Sequence, residues 1–322
     1  MAQKESDIGM MYGSRDTDTF LGLPSCTDLK SLEGGVAILG IGCATPYASV
    51  GAYCAEAPTA IRTTMARYSA MGSNYDFDLG GPLLGPSPKS VVDCGDLDVD
   101  EADAAGNRRN IKAAISLMLD KGAVPLVIGG DDSVPIPMFQ AFEGHGRYTI
   151  LQLDAHIDFR DEVDGERLGL SSTLRRASEL PFIERIIAVG QRNVGSARPA
   201  DFEEALARGV TFVSGREVQA KGIGRALDLI PRGSNVLITL DCDALDPSIM
   251  PSVIGRAPGG LSYWQTIELI GGVAERARIA AFDLVEFMPS RDVSGLGALT
   301  AGRILVNVLG LLARQGAEEP KN

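Results

Sequence analysis

Short, continuous apolar runs of strand length alternate along this chain with segments of helical periodicity. The runs are GVAILGI (Gly35 to Ile41), SVVDCGD (Ser90 to Asp96), AVPLVIGG (Ala123 to Gly130), YTILQL (Tyr148 to Leu153), RIIAVG (Arg185 to Gly190), VTFVS (Val210 to Ser214), NVLITLD (Asn235 to Asp241) and IAAFDLVEF (Ile279 to Phe287). A run apolar at every position, not at every second one, is what a strand covered on both faces requires. Between the runs, Pro58 opens a helix with Ile61, Met65 and Tyr68 on one face, and Asn107 to Lys121 carries Ile111, Ile115, Met118 and Leu119 at helical spacing. Helices are also expected at Leu174 to Leu180, Pro199 to Arg208, Leu261 to Ala277 and Thr300 to Leu312, and from Ser214, through a Ser-x-x-Glu capping box, to Ile230. Pro135 and Pro137 confine any helix after the third run to a late start. About eight strands alternating with helices predict an α/β fold, a mostly parallel sheet flanked by helices. Residues 1–33 read as an irregular N-terminal arm suited to packing on a neighbouring subunit, and 34–322 as a single α/β domain.

Four runs end in acidic residues. Ile128 runs into Asp132, Ile238 into Asp241 and Asp243, and Phe282 into Glu286. The fourth, LQLDAHID, carries Asp154, His156 and Asp158 at alternate positions, and His156 is one of two histidines in 322 residues. In extended backbone, alternate side chains share a side, so these three are expected to converge just past a buried strand. Open α/β sheets bind ligands beyond the carboxyl ends of their strands. If the four strands are neighbours, one mouth collects Asp132, Asp154, His156, Asp158, Asp241, Asp243 and Glu286. That many carboxylates in a partly buried site require cations, and a carboxylate-rich set with one imidazole suits Mn, Mg or a similar divalent ion.

Composition narrows the partners. The net charge is −12, which argues against nucleic acid and anionic membrane surfaces and is compatible with a small cationic substrate. Five cysteines without a C-x-x-C pair argue against a disulfide framework. No secretory signal and no apolar run of membrane-spanning length are visible, so a cytoplasmic location is expected. Asp131 reads as a turn residue, Cys242 as a buried apolar side chain, His145 as a surface residue, and Trp264 as core or interface. Arg175 and Arg176 read as capping or ion-paired residues on a solvated helix face.

GGDDS (Gly129 to Ser133), DAHID (Asp154 to Asp158), DCDALDP (Asp241 to Pro247) and VEFMP (Val285 to Pro289) resemble, in order, the motifs of the ureohydrolases, the arginase and agmatinase family. TFLGLP, GAYCAEAPTAIR and LRRASE extend the likeness over nearly the whole chain, on the agmatinase side. The resemblance implies a three-layer arginase-like fold with an eight-stranded, mostly parallel sheet, in trimers or hexamers. It implies two divalent metal ions, Mn with Ni as an alternative, supplying hydroxide to the carbon of a guanidino substrate, which yields urea and an amine. Asp154 and Asp241 would bridge the metals, Asp158 would complete the more deeply placed site, and His156 and Asp243 the other, with the residue at Asp132 a further metal ligand. Glu286 would pair with the guanidinium, and Asp246 would be a supporting acid.

Two departures matter. The family pattern is GGDHS, where this chain has Asp132, and an SHG-type loop histidine is replaced in GLSST, with Leu170 at its position. Met288 is a smaller change within the glutamate motif. Asp132 can ligate through oxygen but adds a negative charge, which weakens Lewis acidity and raises the pKa of bound water. Leu170 cannot carry a proton; it either lines a pocket for an apolar substituent or marks lost function. Two readings follow: an autonomous amidinohydrolase, or an impaired subunit that assembles with an active homologue in a hetero-oligomer.

Overall fold

The structure, a computed structural model, describes residues 8–14, 16–86 and 88–316. Eight strands form one sheet: β1 (Gly35–Ile41), β2 (Val91–Leu97), β3 (Ala123–Ile128), β4 (Tyr148–Leu153), β5 (Ile183–Val189), β6 (Val210–Val213), β7 (Asn235–Asp241) and β8 (Arg278–Val285). Their order is β2-β1-β3-β8-β7-β4-β5-β6, and every pairing is parallel.

Each strand serves two cores at once. Val36, Ile38, Leu126, Ile128, Leu151, Leu153, Ile238, Leu240, Phe282 and Leu284 face one layer, with side chains from helices Ala57–Ala66, Tyr263–Arg276 and Leu296–Arg314. Ala37, Leu39, Val127, Ile150, Leu237, Ala281 and Val285 face the other, with helices Ala104–Asp120, Pro135–Gln140 and Thr173–Ala177. This is why the central strands read as mainly apolar runs: both of their faces are buried, and burying each large aliphatic contributes about 1.5–3 kcal/mol.

Several boundaries differ from expectation, each for a local reason. The second long helix starts at Ala104, because Asp103 caps it by accepting the Gly106 N–H at 2.7 Å. The helix after β3 begins at Pro135 itself, since proline at the first turn lacks only a donor that would be unpaired anyway. The segment from Ser214 to Ile230 is two helices, Gly215–Lys221 and Gly224–Leu229, broken at Gly222, where φ is +75°. Ser214 does accept the Glu217 N–H, whereas the reciprocal capping box stands at Ser262 and Gln265. The closing helix, Leu296–Arg314, is long and apolar enough to cross a membrane by composition, but 78% of its apolar stretch is buried within this fold.

The described part of the arm packs on its own chain. Phe20 is fully buried against helix Ala57–Ala66. Its N–H donates to Asp93 on β2, which also holds Arg62 through two hydrogen bonds. Residues 1–7 lie outside the described residues. Trp264 is 57% exposed and so is not core. Arg176 is buried and Arg175 largely so, paired with Asp161, Glu179 and Glu204; the ion pairs are as expected, the solvation is not. All five cysteines are free.

Candidate active site

The four acid-terminated strands are neighbours, in the order β3-β8-β7-β4 at the middle of the sheet. Their carboxyl ends therefore deliver Asp132, Glu286, Asp241, Asp243, Asp154, His156 and Asp158 to one place. Close backbone approach makes this possible: a Cβ on Gly130 would run into the Gly42 carbonyl, and one on Gly129 would stand 2.6 Å from Val285 Cγ1. Only glycine lets β3 turn into Asp131 and Asp132 beside β1 and β8.

Convergence of Asp154, His156 and Asp158 comes from a turn, not from extended backbone. β4 stops at Leu153, the chain bends through Ala155 and His156, and Asp158 adopts φ +41°. Glu286 also has positive φ, +66°. Non-glycine residues in this region cost on the order of 1–3 kcal/mol and persist where the surroundings over-determine them. Here the Glu286 N–H is tied to the Gly130 carbonyl at 2.8 Å.

Two groups of three potential ligands result, Asp154–His156–Asp243 and Asp132–Asp154–Asp158, each with ligand atoms within 4.8 Å of one another. Asp154 belongs to both and is fully buried. His156 Nδ1 lies 2.9 Å from Asp243 Oδ2 and 3.5 Å from Asp154 Oδ1. Asp241 lies on the same cleft, its Oδ1 accepting the Asp243 N–H at 2.7 Å. The cleft has a volume of about 240 Å³, with Asp132, His156, Asp158, Asp241, Asp243 and Glu286 on its polar lining.

The electrostatics are those of a crowded anion cluster. Burial, then repulsion from Asp158 and Glu286, pushes Asp132 well above the usual carboxylate range. Burial and neighbouring aspartates do the same to Asp154 and Asp241. Burial works against a charged His156, but the bond to Asp243 and the surrounding carboxylates outweigh it and hold the imidazole at about 9. Asp243 is conversely held low: burial opposes its charge, and the imidazole prevails. One oxygen of Asp132, Oδ2, is buried without a hydrogen-bond partner.

Glu286 stands beside this cluster with its own support. Tyr53 Oη donates to Oε1 at 2.8 Å and Oε2 at 2.7 Å, and the Asp132 N–H donates to Oε1 at 2.9 Å. Burial pushes Glu286 up to about 8, against these donors. Leu170 and Ser171 line the wall.

Other expected residues lie apart. Asp246 does not line the cleft; its carboxylate accepts the N–H groups of Ser248 at 3.0 Å, Gly259 at 2.9 Å and Gly260 at 3.2 Å, which ties a loop down. Asp131 accepts the Ser133 N–H at 2.9 Å, as a turn residue should. Cys242 is buried, and His145 is 31% exposed, away from the cleft.

Sequence reasoning missed a polar row beneath the site. Gln152, Thr239 and Asp283 are register partners on β4, β7 and β8. Gln152 Nε2 donates to Asp154 Oδ2 at 2.7 Å and to Asp158 Oδ2 at 3.3 Å. Thr239 Oγ1 donates to Asp283 Oδ1 at 2.7 Å, and Asp283 Oδ2 is buried without a partner. A polar residue late in each of three mainly apolar strands was the available signal. Burial raises Asp283 to about 8. Its folded pKa exceeds its unfolded value, so its contribution to stability is present below the unfolded pKa and is lost as pH rises through about 8. Asp283→Asn is therefore expected to lose less melting temperature than the parent chain between about pH 6 and about pH 9 in a thermal-denaturation series.

A profile described as the arginase family matches residues 35–310. The sequence is 31% identical over 310 residues to the formimidoylglutamase of Cupriavidus pinatubonensis, covering 88% of this chain and 89% of that one. It is 28% identical over 229 residues to the guanidinobutyrase of Pseudomonas aeruginosa, covering 69% and 71%. The solved structure of proclavaminate amidino hydrolase from Streptomyces clavuligerus superposes with a TM-score of 0.79 at 25% identity, covering 94% of this chain and 99% of that one. With profile, sequence and fold in agreement over most of its length, the chain belongs to the arginase family of enzymes, the ureohydrolases.

Proposed function

We propose that this chain is a metal-dependent amidinohydrolase that cleaves a C–N bond of a guanidino compound, releasing urea and an amine. One observation carries the reading: two ligand triads that share the buried Asp154 face the same cleft as a buried carboxylate, Glu286, held by Tyr53. The donor set fits two divalent cations. Five aspartates and one imidazole are hard or borderline ligands, and Asp132 Oδ2 has no competing partner. Asp154 and Asp241 would be shared, with Asp132 and Asp158 on one side and His156 and Asp243 on the other; manganese is the first choice and nickel the second. Bound there, two such ions supply Lewis acidity and a water that ionises near neutral pH.

The chain's own residues do the rest. Glu286 accepts the amidinium N–H groups of the substrate, and that positive charge offsets the cost of ionising a buried carboxylate. Tyr53 and the Asp132 N–H fix the orientation of Glu286 before substrate arrives. Gln152 holds Asp154 and Asp158 in place by donating to both. Leu170 narrows the wall and excludes water without moving a proton.

The impaired-subunit reading rests on Asp132 and Leu170. The convergence of Asp132 with Asp154 and Asp158 favours the enzyme, because Asp132 takes a ligand's place within one of the two triads. Asp132→Asn is expected to lower bound metal from about two ions per chain toward one, read by elemental analysis after dialysis. The function itself is tested by urea release from the purified chain, loaded with manganese or nickel, over a panel of guanidino compounds. Release from at least one, abolished by chelation, is the expected result; none from any compound sinks the autonomous enzyme.

A further inference from the structure

The segment that follows β5, residues 190–196, contains no acid, yet it holds both turns that carry the ligands. On the β4 side, Gln191 Nε2 donates to the His156 carbonyl at 3.2 Å, and the Arg192 N–H donates to the Ala155 carbonyl at 3.1 Å. The Arg192 side chain reaches the turn after β7 as well. Its Nη2 donates to the carbonyls of Asp243 at 2.6 Å and Leu245 at 3.3 Å. Nε and Nη2 both donate to the Ala257 carbonyl, at 3.0 Å and 2.6 Å, and Nη1 donates to that of Gly190 at 3.1 Å. Among the described residues, every acceptor of this side chain is a backbone carbonyl. Burial pulls the Arg192 pKa down, and attraction from Asp243, Asp154, Asp246 and Asp241 works against that.

The part held in this way is the pair His156 and Asp243. Asp243 is joined to the β4 turn twice: Oδ1 accepts the Ala155 N–H at 3.0 Å, and Oδ2 lies 2.9 Å from His156 Nδ1. Gly255 roofs the pair, since a Cβ there would stand 3.5 Å from His156 Cε1 and 3.8 Å from Asp243 Oδ2. Arg192 is bonded to each backbone piece that fixes the pair: Ala155 on one side, Asp243 and Leu245 on the other, and Ala257 at the end of the roof. Asp132 and Asp158 are not among its partners. A guanidinium suits this task because its donors lie in a rigid plane and point several ways. The donors of an ammonium radiate from one atom and cannot span the same carbonyls.

We infer, on the two-metal reading above, that Arg192 is a positioning residue for one half of the centre. It sets the backbone of the Asp154–His156–Asp243 triad, and through it the affinity of the ion that triad would hold. The Asp132–Asp154–Asp158 triad is held separately, by the bonds from Gln152 to Asp154 and Asp158. Arg192 acts through carbonyl groups and touches neither ion nor substrate, so its loss falls on one metal position and not on both.

The test titrates manganese into the full-length parent chain, Arg192→Lys and Arg192→Met, read by elemental analysis after dialysis and by electron paramagnetic resonance. Lysine keeps the charge and the stem but loses the fork, and methionine loses charge and fork together. The parent is expected to take up about two ions per chain and to show the exchange-coupled spectrum of a pair. Both variants are expected to weaken one ion by about 10–100-fold, to keep the other at parental affinity, and to show the uncoupled hyperfine pattern of a lone ion. Arg192→Lys carries the test by itself if a thermal melt shows Arg192→Met to be unfolded. A folded Arg192→Lys chain that binds both ions as the parent does overturns the inference. So does one that weakens both ions alike, which is what general loosening of the fold would produce. A parent chain without a coupled pair removes the two-metal reading, and the inference with it.

Discussion

Asp154→Asn is expected to empty both metal positions and to lower kcat/KM by ~10³ or more, about 4 kcal/mol of transition-state stabilisation. The magnitude follows from where Asp154 sits. It is the one side chain common to the two triads, it is fully buried, and it is fixed by the His156 N–H at 2.6 Å and by Gln152 at 2.7 Å. An amide of the same shape keeps the packing but halves the acceptor oxygens and removes the charge. Metal content by elemental analysis, measured with urea release, checks both halves. Because the apo cluster is crowded with carboxylates raised by burial and mutual repulsion, removing one charge is not expected to unfold the chain. A folded, metal-poor, inactive variant is the predicted combination.

Glu286→Gln is expected to lower kcat/KM by ~10²–10³ while leaving metal content at the parent level. Losing one partner of a buried charge pair costs about 2–5 kcal/mol, much of it from the partner left uncompensated. Here the uncompensated partner is the substrate's own amidinium, so the loss falls on every guanidino compound alike. The amide still accepts from Tyr53 and from the Asp132 N–H, which keeps the side chain in place. Steady-state kinetics beside metal analysis separates this variant from Asp154→Asn: one loses turnover with its metals, the other keeps the metals. A Glu286→Gln chain with parental kcat/KM would remove the glutamate from substrate recognition.

Much of this molecule is legible in its sequence, and the reasons are physical. Both faces of the central strands are buried, so β1, β3, β4, β7 and β8 read as mainly apolar runs, and the acids that end the last four stand out against that background. The convergence of four strand ends was legible only as a condition, because strand order is a long-range property and four adjacent strands come from distant parts of the chain. Tyr53 was hidden for the same reason. It reaches Glu286 across 233 positions from a loop with no periodicity. The place of Asp246 was not legible because spacing within DCDALDP says nothing about direction: its carboxylate accepts three loop N–H groups and does not line the cleft. Asp158 belongs to the right cluster for a different reason than alternation, since its position comes from a left-handed turn.

The account depends most on the two triads acting as one dinuclear centre. The direct measurement is equilibrium metal binding to the purified full-length chain, by elemental analysis after dialysis against manganese, for the parent and for Asp154→Asn. About two ions per parent chain, falling to near none in the variant, is the predicted result. Less than about one ion per two parent chains, or a variant that retains the parental amount, would contradict it.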